Sequence, residues 1–366
     1  MDPLWLAVAA GALAGIVVVL AWDRLRRRRD EAQAYLKGVR SMLSGDPDAA
    51  IAALSDAARL GTREAVETYL ALGALFRRTG DLARAVRLHR NMLLGPGLAE
   101  ARRAEVEREL AEDYRRSGML AEAAEIHARH AAAGEPGAAE RLRDVLVEQG
   151  DLAGAAEVQR RIAPPGPDPL LAHLQAALAR AALPAAPAVA CEAARAGVAA
   201  DPGSADALLA LAEAEAATGR AAPALDAAGR ALDGDGRAAL LAWPALSSVP
   251  AEEALRFVEA RLGAEEANAA LHLLHGRALH RAGRTRDALV ALRFALDRDR
   301  TGEVTLAMRE LLREAEAPGP EDLAARHDLM VAALLRRARP LRCGQCGVET
   351  AARSWRCRRC GAFDVY

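Results

Sequence analysis

Tyr69-Leu-Ala-Leu72-Gly73-Ala-Leu-Phe76, followed by Gly80-Asp81, Ala85 and His89, is the stretch that decides the fold. Large residues recur there at helical spacing, and a small one, Gly73, sits among them where a second helix can cross closely. Gly80 reads as the left-handed residue that ends the first helix. Ala85 reads as the small side chain that lets the second helix pack back onto the first. The same glycine, with alanine five residues later, returns as Gly45/Ala50, Gly118/Ala123, Gly150/Ala155, Gly219/Ala224 and Gly283/Ala288. In chain order the glycines lie 35, 38, 32, 69 and 64 residues apart, the last two gaps being near two periods. A helix–turn–helix repeat of about 34 residues accounts for the spacing.

Tyr69, Leu72, Gly73, Phe76 and Ala85 resemble the tetratricopeptide (TPR) pattern. The copy around Gly118 keeps Leu110, Ala111, Tyr114 and Ala123. The copy around Gly219 keeps Leu208, Leu211, Ala212, Ala224 and Ala231, and that around Gly283 keeps Gly276, Ala288 and Ala295. A weaker copy with Leu178, Ala190 and the Asp201-Pro202 break lacks the turn glycine, and Pro184 and Pro187 are expected to interrupt its helices. Residues 250–262 offer one more copy. Pro164-Pro-Gly-Pro167 and Pro169 read as a bend. The expected fold is all-α: a TPR-like α-solenoid over residues 31–300, then capping helices over 301–340, from amphipathic stretches at 304–317 and 321–339. Such solenoids act by binding along stacked helices. Arg77, Arg78, Glu112, Arg115 and Arg116 are candidate groove residues, each with a solvated helix face as the plain alternative.

Composition agrees. Of 366 residues 91 are alanine, only 3% are aromatic and 52% are hydrophobic. This favours helices over strands and excludes a β-sandwich, a β-barrel and a disordered chain. The net charge of −1 argues against a dedicated nucleic-acid binder. No P-loop, HExxH, GxSxG or dinucleotide fingerprint appears, and no nucleophile has an evident base partner, so no enzyme is expected. His89 and His127 hold the same repeat position, which fits interhelical packing.

Residues 4–22 read LWLAVAAGALAGIVVVLAW, nineteen residues without a charge. As a helix they span roughly 28 Å, the thickness of a bilayer's hydrocarbon core. Trp5 and Trp22 mark the two ends, Asp2 precedes them, and Arg24 and Arg26 to Arg29 follow. Residues 1–22 are therefore expected to be a single-pass transmembrane anchor and 23–30 a basic juxtamembrane segment, with the bulk of the chain cytoplasmic. A cleaved signal would carry its positive charges before the apolar run, and a buried soluble helix would not explain the arginine block.

The C-terminal residues 341–366 hold Cys343-Gly-Gln-Cys346-Gly347 and Cys357-Arg-Arg-Cys360-Gly361. Two C-x2-C pairs ten residues apart suit a closed tetrahedral site for one zinc or iron ion. Cys343, Cys346, Cys357 and Cys360 are the expected ligands. A cytoplasmic location favours metal over disulfides, and a segment this short needs metal binding to fold. Five arginines surround the knuckles, a feature also found in nucleic-acid-binding ribbons, although a tether and a neutral chain speak against that use. Cys191 reads as a buried structural thiol.

The order of parts resembles the bacterial lipopolysaccharide assembly protein B family. The likeness is carried by Tyr35-Leu-Lys-Gly38, by Leu72-Gly73-Ala-Leu-Phe76 with His89, by Arg342-Cys343 to Cys346-Gly347, and by Trp355-Arg-Cys357 to Cys360. Residues 160–270 depart from it, being rich in Ala and Pro. The resemblance implies a bacterial inner-membrane adaptor that lowers lipid A synthesis by presenting its deacetylase to the membrane protease FtsH. It further implies contact with other lipopolysaccharide-assembly proteins, leaves room for a homodimer, and makes the four cysteines ligands of a rubredoxin-like metal ribbon packed against the repeats. A general membrane-tethered TPR scaffold or co-chaperone, and a redox protein using iron, are the alternatives.

Overall fold

The computed structural model describes residues 66–298, apart from 95–97, 164, 235–237 and 264–267, together with 340–350, 354–364, position 306 and scattered positions between 15 and 53. Two compact units divide the chain after Gln149. The first carries α1 (Val66–Arg78), α2 (Leu82–Leu94), α3 (Glu100–Arg116), α4 (Leu120–Ala132) and α5 (Ala138–Gln149). The second carries α6 (Leu152–Ile162), α7 (Pro169–Ala182), α8 (Pro187–Ala200), α9 (Ala205–Ala217) and α10 (Ala221–Gly234). It continues with α11 (Ala238–Leu241), α12 (Trp243–Ser248), α13 (Ala251–Leu262), α14 (Ala269–Arg281) and α15 (Thr285–Arg298), and ends in the strands β1 (Leu341–Arg342) and β2 (Glu349–Thr350). Apart from that small C-terminal element the described chain is all-α, built of helical hairpins.

The hairpin turns show why glycine recurs. Gly80 adopts φ +83°, where a side chain would be strained. Its N–H donates to the Arg77 carbonyl at 3.2 Å and the next N–H, of Asp81, donates to Phe76 at 2.8 Å, so backbone groups cap the end of α1. The carbonyl of Asp81 then accepts from Ala85 at 3.1 Å and starts α2. Gly118, Gly150, Gly219 and Gly283 take the same conformation, and Ala85, Ala123, Ala155, Ala224 and Ala288 are all buried. At four of the six glycine/alanine pairs the flanking helices pack on one another as the repeat requires; Gly150/Ala155 falls where the two units divide, and Gly45/Ala50 lies outside the described residues.

Each of two well-formed hairpins packs its first helix on its own second helix and on the first helix of the next hairpin, α1 on α2 and α3, α7 on α8 and α9. That neighbour-only stacking is the solenoid arrangement. Small residues permit it: a methyl on Gly73 would overlap the His89 ring, and one on Gly276 would lie 2.6 Å from Leu292 Cγ.

The prolines behave differently from expectation. Pro184 and Pro187 do not interrupt helices: Pro184 sits in the turn between α7 and α8, and Pro187 opens α8, where its missing N–H costs no hydrogen bond. Pro169 likewise opens α7 behind Asp168, whose carboxylate accepts the Leu171 N–H at 3.0 Å. Residues 250–262 do form a helix, α13, but α11 and α12 before it are only short pieces, with Pro244 in the first turn of α12.

Residues 15–23 are helical, with Ile16 to Leu20 more than half exposed, while 1–14 lie outside the described residues. Among the described residues no helix is long and apolar enough to cross a membrane. Apart from isolated positions, residues 31–65 and the expected capping helices over 301–340 also lie outside them.

Candidate metal centre and its seat on the helices

The C-terminal element is built twice on one plan. Arg342 pairs with Glu349 across β1 and β2, and Arg356 bridges Phe363, each pair antiparallel and closing a knuckle. Inside the first, Gly347 at φ +68° donates its N–H to Cys343 O at 2.9 Å; inside the second, Gly361 at φ +73° donates to Cys357 O at 2.9 Å. Each glycine therefore turns the chain so that both cysteines of its pair face one point. An Arg342–Glu349 ion pair at 2.8 Å and the Arg356 guanidinium over the Phe363 ring brace the two closures.

All four Sγ atoms lie within 4.8 Å of one another. Cys343 and Cys360 are 3.8 Å apart and Cys346 and Cys357 3.7 Å, too far for a sulfur–sulfur bond. Those spacings match the edge, about 3.8 Å, of a tetrahedron with metal–sulfur bonds of about 2.3 Å. Burial pushes the Cys360 thiol up to about 12, the Ala362 N–H pulls it down, and the three neighbouring cysteines push it further up. A set of thiolates so placed needs a cation, and the cluster fits one tetrahedral metal ion. Cys343 and Cys357 are buried, and Cys346 and Cys360 partly so.

The ribbon does not stand apart from the helices of its unit. Phe363 stacks on His173 of α7, ring centroids 5.4 Å apart and 15° from parallel, and Trp355 approaches the same imidazole at 5.9 Å. Trp355 also packs against the apolar cluster that includes Leu208 and Leu209 of α9 and Leu271 and Leu274 of α14. His173 is held in turn: its Nδ1 lies 2.6 Å from Asp206 Oδ2, Asp206 Oδ1 accepts from Arg180 at 2.6 Å, and Arg180 reaches Glu213 at 3.0 Å. Burial raises the Glu213 carboxyl, against the pull of Arg180. The resemblance implies a ribbon packed against the repeats, but sequence reasoning missed His173 and the residues that hold it as the seat. Its one signal was that two of so few aromatics flank the second cysteine pair.

The candidate groove residues have other duties. In the first unit Arg77 bonds Glu109 at 2.6 Å and the buried Asp113 at 2.7 Å, while Asp113 meets the Nδ1 of His89 at 2.6 Å. Arg115 joins Glu112 at 2.7 Å and Glu148 at 2.6 Å. Arg77 and Arg115 therefore tie successive hairpins together, while Glu112 holds Arg115 and Arg116 within α3; Arg78 and Arg116 are the exposed members of the set. His89 and His127 are both buried in second helices, as interhelical packing requires. Gln159, at the same repeat position, donates to Asp168 at 2.8 Å. Cys191 is buried, its sulfur 3.3 Å from an Arg220 nitrogen.

Hairpin repeats joined to a four-cysteine ribbon define an all-α helical-repeat protein with a candidate metal ribbon. No family model matches the chain. It is similar to lipopolysaccharide assembly protein B of Escherichia coli K12 and of Escherichia coli O157:H7, 32% identical over 98 residues in each case. That stretch is 26% of this chain, and the chain spans about a quarter, 25%, of the length of those relatives. Among solved structures, the TPR2AB domain–pHSP90 complex of yeast Sti1 aligns over 84% of this chain and 97% of its own at 12% identity and a TM-score of 0.33. Naa15/Naa10 bound to HypK-THB aligns over 89% and 64% at 16% identity and a TM-score of 0.38.

Proposed function

We propose that this chain is a membrane-anchored, non-enzymatic scaffold that regulates lipopolysaccharide synthesis at the bacterial inner membrane. In this reading residues 1–22 span the bilayer once and the solenoid lies on the cytoplasmic side. The repeats present the lipid A deacetylase to the membrane protease FtsH, alongside other lipopolysaccharide-assembly proteins. Cys343, Cys346, Cys357 and Cys360 hold one zinc or iron ion, which supplies the folding energy of the ribbon and no catalytic chemistry. The observation that carries the reading is the joint presence, in one chain, of TPR-like hairpins, the four-cysteine cluster, and 32% identity to lipopolysaccharide assembly protein B over 98 residues. The exposed apolar side chains of Ile16 to Leu20, next to exposed Arg26 and Arg29, support the anchor.

The test is depletion of the protein in its own host, with the half-life of the deacetylase measured by pulse-chase. A lengthened half-life is expected, and an unchanged one removes the regulatory role. Capture from membranes with residues 1–22 retained separates this reading from a general TPR scaffold or co-chaperone. That second reading is favoured by the extent of the similarity, which leaves three quarters of the chain unmatched. Recovery of lipid A enzymes and the protease supports the first; recovery of unrelated complexes supports the second.

A further inference from the structure

We infer that His173 is a positioning residue for the metal centre: by seating Phe363 and Trp355 it makes the metal affinity of the ribbon depend on the first-helix face of α7, α9 and α14. This rests on the proposal that the four cysteines hold a metal. Three observations carry it.

The seat straddles the second knuckle. Trp355 lies two residues before Cys357 and Phe363 three after Cys360, and the Arg356–Phe363 bridge closes the loop between them. Both rings reach one imidazole, so docking on His173 holds the knuckle in the closed form that brings Cys357 and Cys360 to the other pair.

The seat is itself rigid. Asp206 fixes the His173 ring from the neighbouring first helix, Arg180 fixes Asp206 and Glu213 holds Arg180, so the imidazole presents one orientation. A side chain anchored in this way loses little freedom on stacking, which is the condition for preorganised binding.

The ribbon is small, its strands only two residues long, and among the described residues Trp355 and Phe363 both contact the helices. A domain this small folds with its metal, so docking and metal binding stabilise the same closed form and must strengthen each other reciprocally. Anything that unseats the ribbon loosens the metal, and removal of the metal bares the first-helix face of α7 and α9.

The experiment uses the full chain in detergent, loaded with zinc and shown to bind one equivalent. Zinc release to a chromogenic chelator is timed for the parent, His173→Ala and His173→Phe, with far-UV circular dichroism confirming equal helix content. His173→Ala is expected to release zinc about tenfold faster, the scale of one aromatic contact. His173→Phe, which keeps a ring at the seat, should restore most of the retention. Hydrogen exchange after chelation should rise in α7 and α9 and stay unchanged in α1 to α4. Equal release rates in all three proteins, or exchange in α7 and α9 indifferent to chelation, would overturn the inference while leaving the metal site standing. A parent chain that binds neither zinc nor iron would overturn the metal reading itself.

Discussion

Replacement of Gly73 by alanine tests the packing logic of the repeat most directly. The new methyl would overlap Nε2 and Cε1 of His89 and lie 3.2 Å from Cδ2. The ring would have to move by roughly 1 Å or more to regain ordinary contact distances. It is not free to do so: His89 is fully buried, and its Nδ1 lies 2.6 Å from Asp113, which Arg77 also holds at 2.7 Å. Overpacking of this kind costs about 1–3 kcal/mol. Weakening a buried hydrogen bond to a carboxylate adds about 1.5 kcal/mol, near the lower limit because Arg77 still neutralises Asp113. Alanine returns about 1 kcal/mol through its better helix propensity. The net expectation is a loss of about 2–3 kcal/mol, confined to α1, α2 and α3 because each repeat contacts only its neighbours. Urea titration followed by hydrogen exchange reads those helices separately, which matters in a chain that need not unfold in one step. With His89 also changed to alanine, the space left by the ring accepts the methyl. Gly73→Ala should then be neutral or stabilising by up to about 1 kcal/mol, a coupling of about 3 kcal/mol. A single-mutant cost below about 0.5 kcal/mol, or an equal cost in both backgrounds, would show that the close approach is not what selects glycine here.

Three further outcomes are expected. Cys357→Ser should unfold the ribbon and shift Trp355 emission to the red while most helical circular dichroism survives; wholesale helix loss would mean the ribbon is integral to the helices. Burial, with Arg141 and His130 nearby, pushes His127 down to about 4, below its ordinary value of 6.5, so the unfolded chain binds the extra proton between those values. Stability of the first unit should therefore be full above pH 6.5 and decline as pH falls towards 4, by about 1–2 kcal/mol after allowance for screening. His127→Gln, the residue that Gln159 supplies at this repeat position, should flatten that slope, and an unaltered slope would assign it to other groups. Gly219→Ala meets no atom within 4 Å but must hold φ +76°. It should cost about 1–2 kcal/mol from the backbone alone, as read by a shift in the denaturation of α9 and α10.

The repeat could be read in the sequence because its signals are local. A glycine that must turn left-handed and an alanine that must fit under a crossing helix are required wherever a hairpin closes, so Gly80/Ala85 and Gly219/Ala224 announce themselves without knowledge of the partner helix. The proline-rich middle was misread for the same reason. Pro187 disrupts a helix interior but suits its first turn, and which of these applies depends on where α7 ends. Arg77 and Arg115 looked like groove residues because one chain position cannot show that a carboxylate on the next helix has already claimed it.

What the amino-acid sequence determined by itself is therefore the helical-hairpin repeat and the four-cysteine cluster, since the residues that make each lie within a few positions of one another. That the ribbon packs against the repeats is what the resemblance implies; only the tertiary structure decided which residues seat it. His173, Asp206 and Arg180 come from two hairpins, and Trp355 and Phe363 from a segment more than 140 residues beyond the nearest of them. Nothing in their local sequence marks them, because the stacking of Phe363 on His173 and the pinning of His173 by Asp206 exist only once α7, α9 and the closed knuckle have been brought together.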